Sequence, residues 1–223
     1  MARQLTFDLP VRPALGRGDF FVSPANALAV AQIDAGDWPG SKLLLIGPPG
    51  AGKSHLAQVW AGEMPAEVLE ATALGDTPPD ALAVVVEDAD RIAGDRAAET
   101  RLFHLHNHVL AGGGRLLITA ASAPGRWGLV LPDLASRMEA TAVARLLPPD
   151  DALLAAVLVK HFADRQITVA PTLIPWLIRR MDRSFDAARA LVADLDARAL
   201  AKGGPVTQSI AREVLDSGRA DTP

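Results

Sequence analysis

Residues Gly47 to Ser54, GPPGAGKS, have the types and spacing of a phosphate-binding loop. Two glycines separated by four residues, followed by Lys and a hydroxyl residue, allow backbone N–H groups to surround phosphate oxygens. In this pattern Lys53 reaches the β- and γ-phosphate oxygens, and the Ser54 hydroxyl coordinates Mg²⁺. The apolar stretch LLLI precedes the loop and an apolar helical pattern follows it. The sequence therefore predicts a P-loop that binds a nucleotide together with Mg²⁺.

A second group of candidate residues lies at the end of the apolar segment Val84-Val85-Val86-Glu87-Asp88. A carboxylate at the end of such a strand holds Mg²⁺ opposite the P-loop hydroxyl. Glu87 stands at the metal-side position, where Asp is expected, and its extra methylene extends the carboxylate outward. Asp88 is therefore a second candidate, which would share the contact with Mg²⁺ or replace Glu87 in it. A solvated acidic turn is the alternative interpretation.

These residues must be positioned by alternating strands and helices, and that alternation predicts a mostly parallel sheet with helices on both faces. Ser23 is expected to cap the first helix, with Pro24 at its first position and the helix running to about Ala35. Further helices are predicted at 53–62 and 97–111, and strands at 42–46, 68–69, 82–87, 116–119 and 141–146.

Pro148-Pro149 interrupts this alternation, and only helical periodicity follows it. Four helical segments are predicted, at 151–165, 171–181, 184–202 and 207–217. They indicate a small, all-helical second domain. The predicted domains are a flexible N-terminal tail at 1–12, an α/β domain at 13–147, a helical domain at 148–219 and a disordered C-terminus at 220–223.

Composition narrows the class of protein. The chain has 223 residues, 49% of them hydrophobic, so it can bury a substantial core. It contains no Cys, which excludes disulfides and thiolate metal sites. The first thirty residues lack the pattern of a signal peptide and no membrane-spanning run exists, so we expect a cytoplasmic protein without membrane contact. A net charge of −4 argues against a dedicated nucleic-acid surface.

Three further segments carry a resemblance to a known family. They are DFFVSPANALA with Phe21, Val22 and Asn26, the acidic stretch EDADRIAGD at 87–95, and LPDLASRM at 131–138. Together with the P-loop they resemble the AAA+ family of P-loop ATPases, and within it the branch that contains the bacterial initiator DnaA and its homologue Hda. The resemblance covers almost the whole chain. It implies an AAA+ core, with a parallel five-stranded sheet flanked by helices, followed by a small helical lid domain.

The resemblance also implies roles for individual residues. Arg137, in LPDLASRM, would be an arginine finger that acts in trans on a neighbouring nucleotide site; an ordinary surface arginine is the alternative. The implied cofactors are ADP or ATP with Mg²⁺, with Ser54, Glu87 and Asp88 as metal-side residues. The implied nucleotide-binding residues are Gly47, Pro48, Pro49, Gly50, Ala51, Gly52, Lys53, Ser54 and His55, with Phe21 and Val22 covering the adenine.

The N-terminal sequence QLTFDL resembles the motif by which Hda binds the sliding clamp, the beta subunit of DNA polymerase III. The residues concerned are Gln4, Leu5, Thr6, Phe7, Asp8 and Leu9. Pro10, Pro13 and the glycines that follow make residues 8–19 resemble a linker, so the motif is expected to be tethered to the folded domains. An N-terminal strand that pairs with the edge of the sheet is the alternative interpretation.

Two departures from the family pattern bear on catalysis. Ala121 occupies the position where the family usually has a polar sensor residue, with Thr119 and Ser122 nearby. The sensor arginine of the lid falls on Asp186, with Arg183 and Arg189 about one helical turn to either side as substitutes. Because positioned cations and polar donors stabilise the transition state of phosphoryl transfer, we expect weak intrinsic ATPase activity.

The three histidines in HLHNH do not have the spacing of a metal site. On a helix, His104 and His108 share one face and His106 lies on another, so only two ligands would converge.

The function most consistent with these features is regulation of replication initiation. Bound to the clamp on DNA, the protein would contact DnaA and promote hydrolysis of the ATP that DnaA holds. DNA contact would be indirect, since the chain ends after the predicted lid helices, and a homo-oligomer is possible. The alternatives are a self-sufficient ATPase that loads or remodels a replication machine, and a nucleotide-gated DNA-binding module.

Overall fold

The computed structural model of the chain describes residues 21–220, and it describes side chains as far as residue 217. The chain divides into two compact units. One is Pro24–Leu147, called here the α/β unit, and the other contains Pro148 onward, called here the helical unit. Among the described residues, no helix has the length and apolar character needed to cross a membrane.

The α/β unit is built on a sheet of five parallel strands in the order β2-β3-β4-β1-β5. Leu44 of β1 lies opposite Ile118 of β4 on one side and Val143 of β5 on the other. Both β1 and β3 are buried along their whole length, as expected for strands covered by helices on both faces. The strands are β1 (Lys42–Ile46), β2 (Glu67–Glu70), β3 (Ala83–Glu87), β4 (Arg115–Ala120) and β5 (Ala142–Arg145).

Four α-helices belong to the same unit: α1 (Ala27–Ala35), α2 (Lys53–Glu63), α3 (Arg96–Ala111) and α4 (Pro132–Glu139). A core lies between α3 and the central strands, where Leu102 and Leu105 join Val84, Val86 and Ile118. Asp95 begins α3 by accepting hydrogen bonds from the N–H groups of the first turn, at 2.9 and 3.1 Å. Because the strands are parallel, β1 and β3 present their carboxyl ends on the same edge of the sheet.

The start of α1 differs from the sequence prediction. The helix begins at Ala27 with Asn26 at the N-cap position, and residues 24–26 form a turn. The Ala25 carbonyl instead accepts a hydrogen bond from the N–H of Leu147, at 3.0 Å, which ties this turn to the chain after β5. The prediction that Ser23 caps the helix was therefore wrong, because a pairing between distant segments takes precedence over a local Ser-Pro signal.

The helical unit contains α5 (Asp151–Asp164), α6 (Leu173–Ile178), α7 (Phe185–Ala201) and α8 (Gln208–Ala220). Its core packs Leu158 and Phe162 of α5 against Leu177 of α6 and Val192 of α7. Asp150 and Ser184 cap α5 and α7, each accepting a hydrogen bond from a first-turn N–H, at 2.8 and 3.0 Å.

Candidate nucleotide-binding site

The predicted P-loop connects the end of β1 directly to the start of α2, so the backbone N–H groups of the first turn of α2 face the loop. Gly50 and Gly52 have φ values of 69° and 91°, in the left-handed region that residues with a Cβ atom avoid. Gly50 and Gly52 are therefore needed for this curvature, and Gly52 is also one of the two glycines of the sequence pattern.

Lys53 is buried at the start of α2 and folds back over the loop. Its Nζ donates hydrogen bonds to the carbonyl oxygens of Gly47 and Pro48, at 2.9 and 3.1 Å. Burial lowers the pKa of Lys53 from its ordinary value, and the negative charges of Asp88, Asp90 and Glu87 oppose part of that shift. The ammonium thus lies between the loop backbone and an acidic strand end.

Glu87 lies at the end of β3, buried, and its carboxylate accepts a hydrogen bond from the Ser54 hydroxyl. Burial raises the pKa of Glu87 above its ordinary value, and the Ser54 bond opposes this shift. The charge of Glu70, paired with Glu87 across β2 and β3, adds to the rise. One carboxylate oxygen, Oε1, is buried without a hydrogen-bond partner. A buried acceptor of this kind is costly unless something binds it.

These contacts fit the chemistry of Mg²⁺. The cation takes hard oxygen ligands and is held in nucleotide sites by one or two protein groups, with phosphate and water oxygens completing the octahedron. The Ser54 hydroxyl and the Glu87 carboxylate are adjacent oxygen donors of this type. Among the described residues, no group of three or more His, Cys, Asp or Glu could hold a metal ion by itself.

Asp88 and the residues around it form a tight turn after β3. Asp88 has a φ of 53°, and its N–H donates to the hydroxyl of Thr119 at 3.0 Å. Thr119 is fully buried at the end of β4. Asp90 accepts a hydrogen bond from the N–H of Ala121, also at 3.0 Å. Ala121, which has no polar side chain, thus contributes its backbone to the acidic strand end.

Arg137 lies in the last turn of α4 and its side chain is exposed. Its guanidinium carbon is 5.8 Å from the centroid of the Phe103 ring of α3, within the range of a cation–π contact. Its carbonyl oxygen accepts hydrogen bonds from Lys42 Nζ at 2.9 Å and from the Thr141 hydroxyl at 2.8 Å. The backbone at Arg137 is fixed while the charged end remains accessible.

The chain has the AAA+ fold. It superposes on domain III of the replication initiation protein DnaA from Thermotoga maritima with a TM-score of 0.78 and 19% identity, over 94% of this chain and 98% of that one. It also matches a replication initiator DnaA bound to AMPPCP and single-stranded DNA, with a TM-score of 0.69 and 14% identity, over 82% of this chain.

The RuvB Holliday junction branch migration motor of Thermotoga maritima has the same fold, with a TM-score of 0.65 and 17% identity over 85% of this chain. The match spans 66% of the DnaA chain that is bound to AMPPCP and single-stranded DNA, and 65% of the RuvB chain. No protein-family model matches the chain. These comparisons show a DnaA-like AAA+ fold.

The other site residues predicted from the sequence are Phe21, Val22, Arg183 and Arg189, together with the clamp motif. Phe21 and Val22 are half-buried and are grouped with the helical unit. Arg183 binds Asp151 at 2.6 Å and the Pro149 carbonyl at 3.1 Å, and Arg189 binds Asp186 at 2.8 Å. Both arginines are thus engaged within the helical unit. The predicted clamp motif, Gln4 to Leu9, lies outside the described residues.

Sequence reasoning missed three buried polar residues that support α4, which was itself not predicted as a helix. Glu99, Lys42 and His106 are all at least nine-tenths buried. A signal for two of them was present. Glu99 and His106 are seven positions apart on α3 and flank Leu102 and Phe103, which places charged and polar side chains on an otherwise apolar helix face.

Proposed function

We propose that this protein binds adenine nucleotide with Mg²⁺ and regulates replication initiation by promoting hydrolysis of ATP bound to DnaA. This is the role that the sequence resemblance to Hda implies. The observation that carries the proposal is the accessible guanidinium of Arg137 on a firmly held helix, in a chain that superposes on nearly all of a DnaA domain III.

The P-loop supports the nucleotide half of the proposal. Lys53 Nζ bonds to two loop carbonyls and can exchange those bonds for charge-assisted bonds to phosphate oxygens. Ser54 and Glu87 supply the two oxygen donors that a nucleotide-bound Mg²⁺ needs from the protein. Mg²⁺, when bound, would neutralise phosphate charge, while the loop N–H groups and Lys53 orient the phosphate chain. Binding of AMPPCP by DnaA proteins of this fold is consistent with this assignment.

Arg137 supports the partner half of the proposal. An arginine that acts in trans must project from its own surface, and a guanidinium inserted into another subunit's site stabilises the charge that develops on the γ-phosphoryl group. Arg137 is exposed and its cation–π contact with Phe103 is weak enough to be exchanged for a phosphate. Ala121 stands at the expected sensor position, so we expect slow hydrolysis by the protein alone.

The N-terminal motif would supply localisation. We propose that Gln4 binds a small polar site on the sliding clamp while Leu5, Phe7 and Leu9 enter an adjacent apolar groove. A short peptide of this kind binds with roughly micromolar affinity. Tethering on the clamp would make contact with a DNA-bound initiator effectively intramolecular.

Replacing Gln4 and Phe7 together with Ala tests the tail assignment. Clamp binding measured by surface plasmon resonance should disappear, while the melting temperature and ADP affinity stay unchanged. Loss of thermal stability with clamp binding preserved would instead indicate an N-terminal strand.

The experiment that tests the function is a comparison of ATP hydrolysis by DnaA with and without this protein, the clamp and DNA. Stimulation that requires all three components supports the proposal. Rapid hydrolysis by this protein without DnaA would favour a self-sufficient ATPase. Salt-dependent DNA binding in the absence of the clamp would favour a nucleotide-gated DNA-binding module.

A further inference from the structure

Glu99 makes a set of contacts that nothing in the nucleotide site uses. Its side chain is fully buried, and its carboxylate accepts hydrogen bonds from three backbone N–H groups. Oε1 accepts from Gly94 at 2.9 Å and from Val130 at 3.1 Å, and Oε2 accepts from Val130 at 3.0 Å and from Leu131 at 2.7 Å. Glu99 therefore joins two chain segments more than thirty residues apart.

The two joined segments are the acidic stretch after β3 and the start of the helix that carries Arg137. Gly94 is the next-to-last residue of the acidic stretch 87–95, which begins with Glu87 and Asp88. Leu131 is the N-cap residue of α4, the helix that carries Arg137. A buried charge is costly in a protein interior unless it is fully hydrogen-bonded, so its retention here requires a set of fixed donors. The entry to α4 and the turn at Gly94 supply those donors.

The opposite end of α4 is held by a second buried charge. Lys42 Nζ donates to the carbonyl of Arg137 at 2.9 Å and lies 3.2 Å from Nε2 of His106. Nδ1 of His106 donates in turn to Asn107 Oδ1 at 3.2 Å, which leaves Nε2 as the acceptor for Lys42. Since Glu99 and His106 are both on α3, one helix secures α4 at each end.

We propose that Glu99 and Lys42 are positioning residues for Arg137. They fix the two ends of α4 against α3, and so set the place from which the exposed guanidinium reaches a partner. The bond from Gly94 to Glu99 also makes the acidic strand end and the Arg137 helix move as one body. This inference rests on the proposed function for its catalytic consequence, while the positioning itself can be measured without a partner.

The positioning is tested by amide hydrogen exchange on the intact protein with ADP and Mg²⁺. In Glu99→Gln the amide nitrogen faces N–H donors, so it cannot accept their hydrogen bonds. We expect exchange to accelerate about tenfold or more in peptides that cover 128–140, with α2 and the helical unit unchanged. Glu67→Gln, the same change at an exposed residue of β2, is the matched control and should behave as the wild type. Unchanged exchange at 128–140, or a uniform increase throughout the protein, would overturn the proposal.

The catalytic consequence is tested by titrating DnaA with each variant and measuring ATP hydrolysis. For Glu99→Gln we expect the maximal stimulated rate to fall roughly tenfold to a hundredfold, because small displacements of a catalytic group carry costs of this size. The half-saturating concentration and the ADP dissociation constant should stay within about threefold of wild type. A merely structural role would change these values together with the fraction folded.

Lys42→Met provides an independent variant if Glu99→Gln does not fold. It removes the bond to the Arg137 carbonyl and retains an apolar side chain of similar length. We again expect the maximal stimulated rate to fall while the half-saturating concentration stays nearly unchanged. Wild-type stimulation by folded Glu99→Gln or by folded Lys42→Met would refute the proposal. If the wild-type protein itself fails to stimulate DnaA, the proposed function is wrong, and the exchange comparison still decides whether Glu99 positions α4.

Discussion

The α/β unit and the helical unit differ in what they bury. The α/β unit buries three charged side chains close to functional segments, Lys53, Glu87 and Glu99, and also Lys42 and His106 beneath α4. Between residues 148 and 217 of the helical unit, every side chain that is buried is apolar. The charges of that unit form exposed ion pairs, such as Arg183 with Asp151 and Lys202 with Glu213.

This difference indicates which unit we expect to contain the chemistry of the proposed function. Burying a charged group costs free energy unless its partners are fixed in advance, so buried charges persist where their placement is useful. Exposed ion pairs contribute about 1 kcal/mol or less and are easily lost. The buried charges of the α/β unit are therefore typical of a preorganised site. The described core of the helical unit contains only apolar side chains, whose role is to stabilise the fold.

Replacement of Arg137 should have the largest effect. We expect Arg137→Ala to reduce stimulation of DnaA-bound ATP hydrolysis roughly 10³-fold, the scale associated with loss of an arginine finger. The affinity of the protein for its own nucleotide should be nearly unchanged. Arg126→Ala, a change at another exposed arginine of the same unit, is the control. If correctly folded Arg137→Ala still stimulates hydrolysis of DnaA-bound ATP, Arg137 is an ordinary surface residue.

Replacement of Lys53 should have the next largest effect. Lys53→Ala removes the ammonium that faces the phosphates in the proposed binding mode, so tight binding of ADP should be lost. A nucleotide at a hundred times its dissociation constant adds about 2.7 kcal/mol to folding stability. Saturating ADP should therefore raise the melting temperature of the wild type but not of Lys53→Ala. Equal shifts for the two proteins would contradict the P-loop assignment.

The buried His106 predicts a specific dependence of stability on pH. Burial, together with the positive charges of Lys42 and Arg137, lowers the pKa of His106 to about 4, and the bond to Asn107 opposes this. Between pH 6.5 and about 4 the unfolded chain binds a proton at this residue and the folded protein does not. The free energy of unfolding therefore falls as pH falls through this window, by about 3 kcal/mol in total.

Chemical denaturation of the wild type and of His106→Gln at several pH values isolates this contribution. Gln keeps an acceptor for Lys42 but does not titrate, so the difference in unfolding free energy between the two proteins should narrow or reverse as pH falls from 6.5 to 4. Parallel pH profiles would show that His106 is not buried in the neutral form.

The smallest effects are expected in the helical unit. Arg183→Ala and Arg189→Ala each remove an exposed ion pair and should lower stability by less than about 1 kcal/mol. ADP affinity measured by calorimetry should stay within about threefold of wild type. A tenfold loss of affinity in either variant would show that the helical unit supplies a nucleotide ligand, and the contrast between the units would then be incomplete.

Much of the fold could be predicted from the sequence because its signals are local. The strand at Lys42–Ile46 has the predicted bounds, and α2 and α3 lie within a residue of theirs, since apolar runs and flanking glycines define them. The alternation of these elements around a P-loop predicts a parallel α/β sheet, and the resemblance of the motifs to the AAA+ family implies the rest of the architecture. The loop conformation itself depends on Gly50 and Gly52. The motif specifies Gly52, while Gly50 stands at a position that the motif leaves open.

What could not be predicted depends on contacts between distant segments. The start of α1 is set by the bond between Ala25 and Leu147, and α4 has only eight residues and begins after a loop bound by Glu99. The pairing of Glu87 with Ser54 and the burial of Glu87 Oε1 likewise become visible only when β1 and β3 lie near each other in the sheet. Secondary-structure propensity depends on neighbouring residues in the sequence, so it does not predict bonds between distant segments.

The most direct measurement is single-turnover hydrolysis of labelled ATP loaded on DnaA, with free nucleotide removed so that turnover by this protein does not contribute. With the wild-type protein, the clamp and DNA all present, the half-life of DnaA-bound ATP should shorten about 10³-fold or more. The half-life should return to its starting value when the clamp is omitted or when Arg137→Ala replaces the wild type. The same half-life with and without the wild-type protein would contradict the proposed function.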